Sequence, residues 1–139
     1  MRKLLIPLVV GLLVGSSGLP TVHSYSPKGR MVSMIELIAT PSQDDGKMVG
    51  VVGFLVYGFE HDALYLHYED MEHKILMNSL SLHLNPQVQE RAKKFQNSFV
   101  IVAGTFIAPS GGPGSRAGAL GSIIDIRAWP LDMNDKIDK

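Results

Sequence analysis

The sequence contains no cysteine. Disulfide bonds and thiol chemistry are therefore excluded, and so is a lipoprotein anchor, which needs a cysteine just after an apolar N-terminal stretch. A domain built from this sequence is held together by its hydrophobic core alone.

An excess of charge of either sign is also missing. The full chain carries 13 basic and 13 acidic side chains, and loss of a leader containing Arg2 and Lys3 would leave 11 bases against 13 acids, a net charge of −2. Proteins that bind nucleic acid through its phosphates present a basic face. Here the one local basic cluster, at 91–94, falls on a predicted helix. The charge balance argues against nucleic acid as the partner.

The first 24 residues are organised differently from the rest. Arg2 and Lys3 precede an almost entirely apolar stretch, 4–14, and small residues follow it. This is the layout of a secretory signal peptide, with cleavage predicted after Ser24. An uncleaved anchor is the alternative, but about a dozen apolar residues is short against the ~20 that span a bilayer. We therefore predict a periplasmic or secreted protein with no stable membrane insertion after signal cleavage.

The remaining chain reads as one domain. We predict a signal peptide at 1–24, a flexible leader at 25–32, a single domain at 33–130 and a disordered tail at 131–139. Ser33 and Glu36 have the spacing of a capping box, which predicts a short helix over 33–40. Asn85 followed by Pro86 predicts the start of an amphipathic helix over 86–96.

Alternating or continuous apolar runs predict five strands. The first is apolar on both faces and is interrupted by glycines, as a strongly bent barrel strand requires. Trp129 is predicted to seal the barrel edge at the end of the last strand. The predicted strands are 48–59, 63–68, 79–84, 99–108 and 121–129.

Three strands, a helix and two more strands is the order found in an OB barrel. We therefore predict an all-β fold class, a five-stranded OB-type barrel with two short helices and with one helix between strands 3 and 4. A small β-sandwich or an open α+β sheet could use the same elements.

A set of residues, most of them within 32–83, carries a resemblance to other proteins. They are 32–39, Pro41, 45–47, 52–54, 59–60, 63–67, Glu69, Asp70 and His73, with 104–106 agreeing more weakly. Through them the chain resembles a group of small, exported, uncharacterised bacterial OB-like proteins. The resemblance implies the fold and the small size, and it carries over no catalytic role.

One cluster of side chains has metal-binding chemistry. His67, Glu69, Asp70 and His73 could supply ligands to a divalent metal, since imidazole and carboxylate suit zinc or manganese. The spacing matches no zinc signature, and the alternative is a solvated acidic turn in which His67 closes a strand. A His–carboxylate pair could also act in acid–base catalysis. No recognisable nucleophile accompanies it.

Four further residues are candidates for ligand binding. Tyr57, Tyr65 and Tyr68 fall on the first two predicted strands, where OB barrels offer aromatic stacking platforms. Arg116, in the glycine-rich loop 109–118, could hold an anion or a partner's carboxylate. The alternatives are tyrosines in the core or at the barrel rim, and a loop that only connects two strands. The loop lacks the lysine-serine ending of a P-loop.

The sequence thus predicts an exported, non-enzymatic binding module without a required cofactor. Its ligand would be a protein, a peptide or an oligosaccharide, bound on the first three predicted strands between loops 60–62 and 109–118. The alternative is a divalent-metal-binding or metal-dependent protein that uses the 67–73 turn. A third possibility is a structural or envelope-stress protein whose surface contacts another protein.

Overall fold

The computed structural model describes residues 29–58 and 61–131. The predicted signal peptide, the start of the predicted leader and residues 132–139 of the predicted tail lie outside them. Two 3-10 turns occur, at Pro41–Gln43 and Leu76–Asn78. The helices and strands are β1 (Arg30–Met31), α1 (Met34–Ala39), β2 (Met48–Val56), β3 (Ala63–Tyr65), α2 (Tyr68–Glu72), β4 (Ser79–Leu82), α3 (Pro86–Phe95), β5 (Ser98–Ile107) and β6 (Ala119–Ala128).

Strands β2 to β6 form a closed barrel. Strand β2 pairs antiparallel with both β3 and β5, and β3 pairs antiparallel with β4. Strand β6 completes the ring, because it pairs parallel with β4 and antiparallel with β5. The five-stranded OB-type barrel is confirmed, and so is the position of α3 between its third and fourth strands.

The barrel core is built by alternation along the strands. Successive side chains of a strand point to opposite faces, so every second residue enters the interior. Helix α1 adds Met34 and Leu37 to this core, and α3 adds Val88 and Ala92. The strands contribute Val49, Val51, Leu55, Leu64, Leu80, Leu82, Val100, Val102, Phe106, Leu120, Ile123 and Ile126.

A glycine in β2 allows the close packing on one side of the barrel. A Cβ atom at Gly53 would lie 2.7 Å from the Tyr65 carbonyl oxygen, 2.7 Å from Leu64 Cγ and 2.9 Å from Met34 Cε. Any side chain there would push β3 and α1 away from β2. The close approach explains one of the interior glycines that the sequence places in this strand.

The two predicted helix starts are confirmed at their caps. The Ser33 side chain accepts from the Glu36 amide. Asn85 Oδ1 accepts from the amides of Gln87 and Val88, at 3.0 and 3.2 Å. Both helices begin at these residues because each polar side chain satisfies amides that have no partner within the helix.

Several elements differ from the sequence prediction. Strand β3 ends at Tyr65 instead of continuing to Tyr68, and the predicted acidic turn is the short helix α2. Strand β1 lies within the predicted leader. It pairs parallel with β2, and Arg30 Nη2 donates to both carboxylate oxygens of the buried Asp44 at 2.9 Å. No helix in the described residues is long and apolar enough to cross a membrane.

Candidate functional site: an aromatic row beside an apolar groove

Four aromatic residues lie side by side across four neighbouring segments of the barrel. Phe54 in β2 is directly opposite Tyr65 in β3 and Phe99 in β5. Trp129 follows β6, and its amide donates to the Phe99 carbonyl oxygen at 3.0 Å. Directly opposed residues of antiparallel strands present their side chains on one face. We call these four residues the aromatic row.

The aromatic row lies on the outside of the barrel. The chain neighbours of its members, Leu55, Leu64 and Val100, belong to the core and have no exposed surface. Because side chains alternate along a strand, the aromatic side chains must point away from that core.

The row changes from buried to exposed along its length. Phe54 and Tyr65 are buried, whereas Phe99 and Trp129 are 39% and 41% exposed. The Phe54 ring packs edge-to-face against Phe99 at 5.6 Å and against Tyr68 of α2 at 5.3 Å. Each such contact adds about 0.5–1.5 kcal/mol beyond the area that it buries. The rings therefore stay in place while part of their surface faces solvent.

A groove of about 570 Å³ opens beside the exposed end of the row. It is lined by residues 31–35, by Val52, Leu66 and His67, and by Phe99 and Trp129. Among the described residues, Ser33, His67 and the indole N–H of Trp129 supply its polar groups. Small-ligand sites commonly have volumes of roughly 300–1,000 Å³ with mostly apolar walls and a few polar groups. This groove has that character.

Two of the predicted ligand-binding residues, Tyr65 and Arg116, are brought together at the buried end of the row. The Arg116 guanidinium lies 5.4 Å from the centre of the Tyr65 ring. Its Nη1 also donates to Ser79 Oγ at 2.6 Å. Arg116 therefore ties the glycine-rich loop to the barrel and covers the face of Tyr65.

The other two predicted tyrosines are separated from each other. Tyr57 packs against the barrel core. Tyr68 is 43% exposed on α2, and its hydroxyl donates to Glu72 Oε1 at 3.2 Å. The charge of Glu72, that hydrogen bond and the charge of Glu69 raise the pKa of Tyr68 above its ordinary value. The three tyrosines do not form a single stacking platform.

His67 and Asp70 form a contact that starts α2. The Asp70 carboxylate is almost fully buried, and its Oδ2 accepts from the His67 amide at 3.0 Å and lies 3.2 Å from His67 Nδ1. Its Oδ1 accepts from Asn78 Nδ2 at 2.9 Å. This reciprocal arrangement is a capping box, and it explains why the chain turns into a helix here.

The four predicted metal ligands are not gathered at one point. His67 contacts Asp70, whereas His73 Nδ1 lies 2.9 Å from the Glu69 carbonyl oxygen. Across the described part of the chain, no group of three or more histidine, aspartate or glutamate side chains is arranged to hold a metal ion. A metal site at 67–73 would require these side chains to rearrange.

Three members of the site escape prediction from sequence. Phe54 and Phe99 read as ordinary strand residues, and the apolar character of both faces of the first strand, interpreted as the mark of a bent barrel strand, was the signal that could have found Phe54. Trp129 was predicted to seal the barrel edge, but it is partly exposed and lines the groove. Only the pairing register places the three rings in one row.

No protein-family model and no curated protein matches the sequence. The candidate site is therefore identified from its geometry alone. It combines partly exposed aromatic rings, an apolar groove and the acidic helix α2, which begins directly after the groove residue His67.

Proposed function

We propose that this protein is an exported, non-enzymatic binding module whose ligand occupies the aromatic row and the adjoining groove. The observation that carries the proposal is the exposure of Phe99 and Trp129 in the wall of an apolar groove. Contiguous exposed apolar surface with a polar surround commonly marks a site of interaction. Covering these two rings would remove a large apolar area from water.

Export is supported by the signal-like layout of residues 1–24 and by the resemblance to small exported bacterial OB-like proteins. The protein would then act in the periplasm or after secretion. Asp70 has a structural role, since its carboxylate accepts from the His67 amide at the start of α2 and from Asn78 Nδ2 in the following turn.

The proposed ligands are a protein, a peptide or an oligosaccharide. Aromatic surface suits all three. Nucleic acid is not proposed, because the processed chain would carry a net charge of −2 and α2 places acidic side chains beside the row.

Trp129 gives a direct test, because it is the single tryptophan of the chain. Its fluorescence would be followed while the exported protein is titrated with a Leu/Lys decapeptide, with maltohexaose and with a single-stranded oligonucleotide. We expect the peptide or the sugar to change the emission and Phe99→Ser to weaken that binding at least about tenfold. Ile124→Ser is the matched control, since Ile124 is 46% exposed and does not line the groove.

The proposal fails if neither the peptide nor the sugar binds. It also fails if Phe99→Ser and Ile124→Ser have equal effects. Tight, steeply salt-dependent binding of the oligonucleotide alone would point instead to phosphate recognition.

Divalent-metal binding through His67, Glu69, Asp70 and His73 is the alternative proposal. The observation that favours it is the contact between His67 and Asp70. Thermal unfolding with excess zinc or manganese tests it, because an ion that binds only the folded state at 100 times its Kd adds about 2.7 kcal/mol. A rise in Tm that His67→Gln abolishes would support the metal site. An unchanged Tm with both ions would rule it out.

A further inference from the structure

We infer that the groove takes a peptide segment of another protein, in which large apolar side chains alternate with or adjoin basic ones. The inference rests on the proposed binding function and names its ligand class. It follows from the chemistry of the groove and from the charge of the surface beside it.

The groove suits apolar side chains better than sugar hydroxyls. Its polar groups are few, and one of them, Ser33, already accepts from the Glu36 amide at the start of α1. His67 already contacts Asp70 through Nδ1. A hydroxyl left without a partner on burial costs about 1–3 kcal/mol. An oligosaccharide would incur that cost repeatedly here, whereas leucine or phenylalanine side chains would not.

Helix α2 makes the surface beside the groove negative. The segment 67–74 contains three acidic side chains and one basic one, Lys74. Glu69 and Glu72 are exposed, and neither forms an ion pair with a cation in the described residues.

In the described residues, the two arginines closest in sequence to the groove are already paired. Arg30, which precedes Met31 of the groove, contacts Asp44 and Glu36 at 2.9 Å. Arg127, two residues before Trp129, contacts Asp125 at 2.6 Å. Within 67–74, three acidic side chains outnumber Lys74, so among the described residues the surface of α2 beside the groove is negative. A basic partner complements it, which favours both the rate and the specificity of association.

The groove and the acidic surface are continuous. His67 lines the groove and is the residue directly before α2. Tyr68, the first residue of α2, packs against Phe54, which packs against Phe99 in the groove wall. A peptide with apolar side chains on Phe99 and Trp129 would thus reach Glu69 and Glu72 within a few residues. An exposed aromatic ring such as Tyr68 can also attract a cation.

Three decapeptides, titrated into the exported protein under Trp129 fluorescence, test the inference. They alternate Leu with Lys, Leu with Glu, and Ser with Lys. We expect the Leu/Lys peptide to bind at least about tenfold tighter than the Leu/Glu peptide, and the Ser/Lys peptide to cause no change. Added salt should weaken the Leu/Lys complex, because screening acts on the exposed charges.

Paired variants separate the charge from the groove. Glu69→Gln with Glu72→Gln should bring the affinities of the Leu/Lys and Leu/Glu peptides together, whereas Glu90→Gln on α3 should leave their ratio unchanged. Ile35→Ser, at a groove residue that is 62% exposed, should weaken both Leu peptides without unfolding the protein.

The outcomes distinguish this inference from the proposed function. If the Leu/Glu peptide binds as tightly as the Leu/Lys peptide, or if only maltohexaose binds, the inference is wrong while the groove remains a binding site. If no peptide and no sugar changes the Trp129 emission, the proposed function fails with it. If the Ser/Lys peptide binds as well as the Leu/Lys peptide, the acidic surface acts alone and the inference is also wrong.

Discussion

Tyrosine has three different environments in this barrel, and the position of each residue in the fold decides which one it has. Tyr57 packs against the core, Tyr65 lies under the Arg116 guanidinium, and Tyr68 exposes its ring on α2. All three are tyrosines, so their intrinsic conformational propensity and their side-chain chemistry are the same. Because their surroundings differ, Tyr68 alone of these three is exposed, and its ring lies in a negative local field.

The ionisation of Tyr68 can be predicted from that field. The phenolate is disfavoured beside Glu72, the larger cause, and beside Glu69, so we expect Tyr68 to titrate above its ordinary pKa of 10.0. Ultraviolet absorbance of the phenolate measures this, with Tyr68→Phe identifying the contribution of this residue. Glu72→Gln should lower the pKa of Tyr68 towards 10.0.

The sign of the accompanying stability effect follows from the same shift. A raised folded-state pKa stabilises the fold at pH values below 10 and loses that contribution as the pH rises through the folded pKa. A Tyr68 pKa that does not respond to Glu72→Gln would show that the carboxylate is too far away in solution to act on it.

Among the elements, the helices depend on side chains at their first residues. Helix α3 begins at Asn85, which caps two amides through Oδ1 and also donates from Nδ2 to the Ile123 carbonyl oxygen in β6 at 3.0 Å. One side chain therefore starts the helix and attaches it to the barrel. The first of these two roles is local, whereas the second joins residues far apart in the chain.

Substitution of Asn85 should separate those two roles. Asn85→Ala removes the cap and the bond to β6, and we expect it to lower the free energy of unfolding by about 2 kcal/mol. Asn85→Ser keeps an accepting oxygen for the cap and loses the donor to β6, so it should cost about half as much. Urea unfolding measures both. Equal losses in the two variants would mean that the cap itself contributes little.

The sequence predicts the starts of α1 and α3 correctly, but it predicts a turn where the structure has helix α2. Ser33 with Glu36, and Asn85 with Pro86, are adjacent signals that identify the caps directly. The start of α2 depends on the burial of the Asp70 carboxylate and on its bond from Asn78 in the following turn. That second partner comes from outside the helix, so residues 67–73 read as a turn when they are taken alone.

In the whole molecule, β5 holds the barrel together. It pairs with β2 and with β6 along most of its length, and its inward residues belong to the same core as those of every other barrel strand. A fold with one shared core and no separable part is expected to unfold as one unit.

Substitution of Phe106 tests whether the protein unfolds as one cooperative unit. It is fully buried in β5, so Phe106→Ala should lower the free energy of unfolding by about 3–5 kcal/mol. Its neighbour Ile107 is 42% exposed, and Ile107→Ala should change the free energy of unfolding by about 0.5 kcal/mol. Urea unfolding would be followed by Trp129 fluorescence and by far-ultraviolet circular dichroism.

In the native protein and in both variants, the two signals should have the same midpoint. Trp129 lies on the outside of the barrel and circular dichroism reports its strands, so the two signals sample different parts of the molecule. Separate midpoints would show that the groove region opens before the barrel, contrary to a single cooperative unit.

The sequence by itself determined the order of the five barrel strands with α3 between the third and the fourth, the positions of two helix caps and the alternation that makes a barrel core. These depend on neighbours within a few residues, and local hydrogen bonding and side-chain periodicity are enough to specify them. The tertiary structure alone decided which outward residues meet. Phe54 and Phe99 are 45 positions apart, and the register of β2 against β5 makes them neighbours. That register results from pairing and burial summed around the closed barrel, so the aromatic row and the groove exist only in the folded molecule.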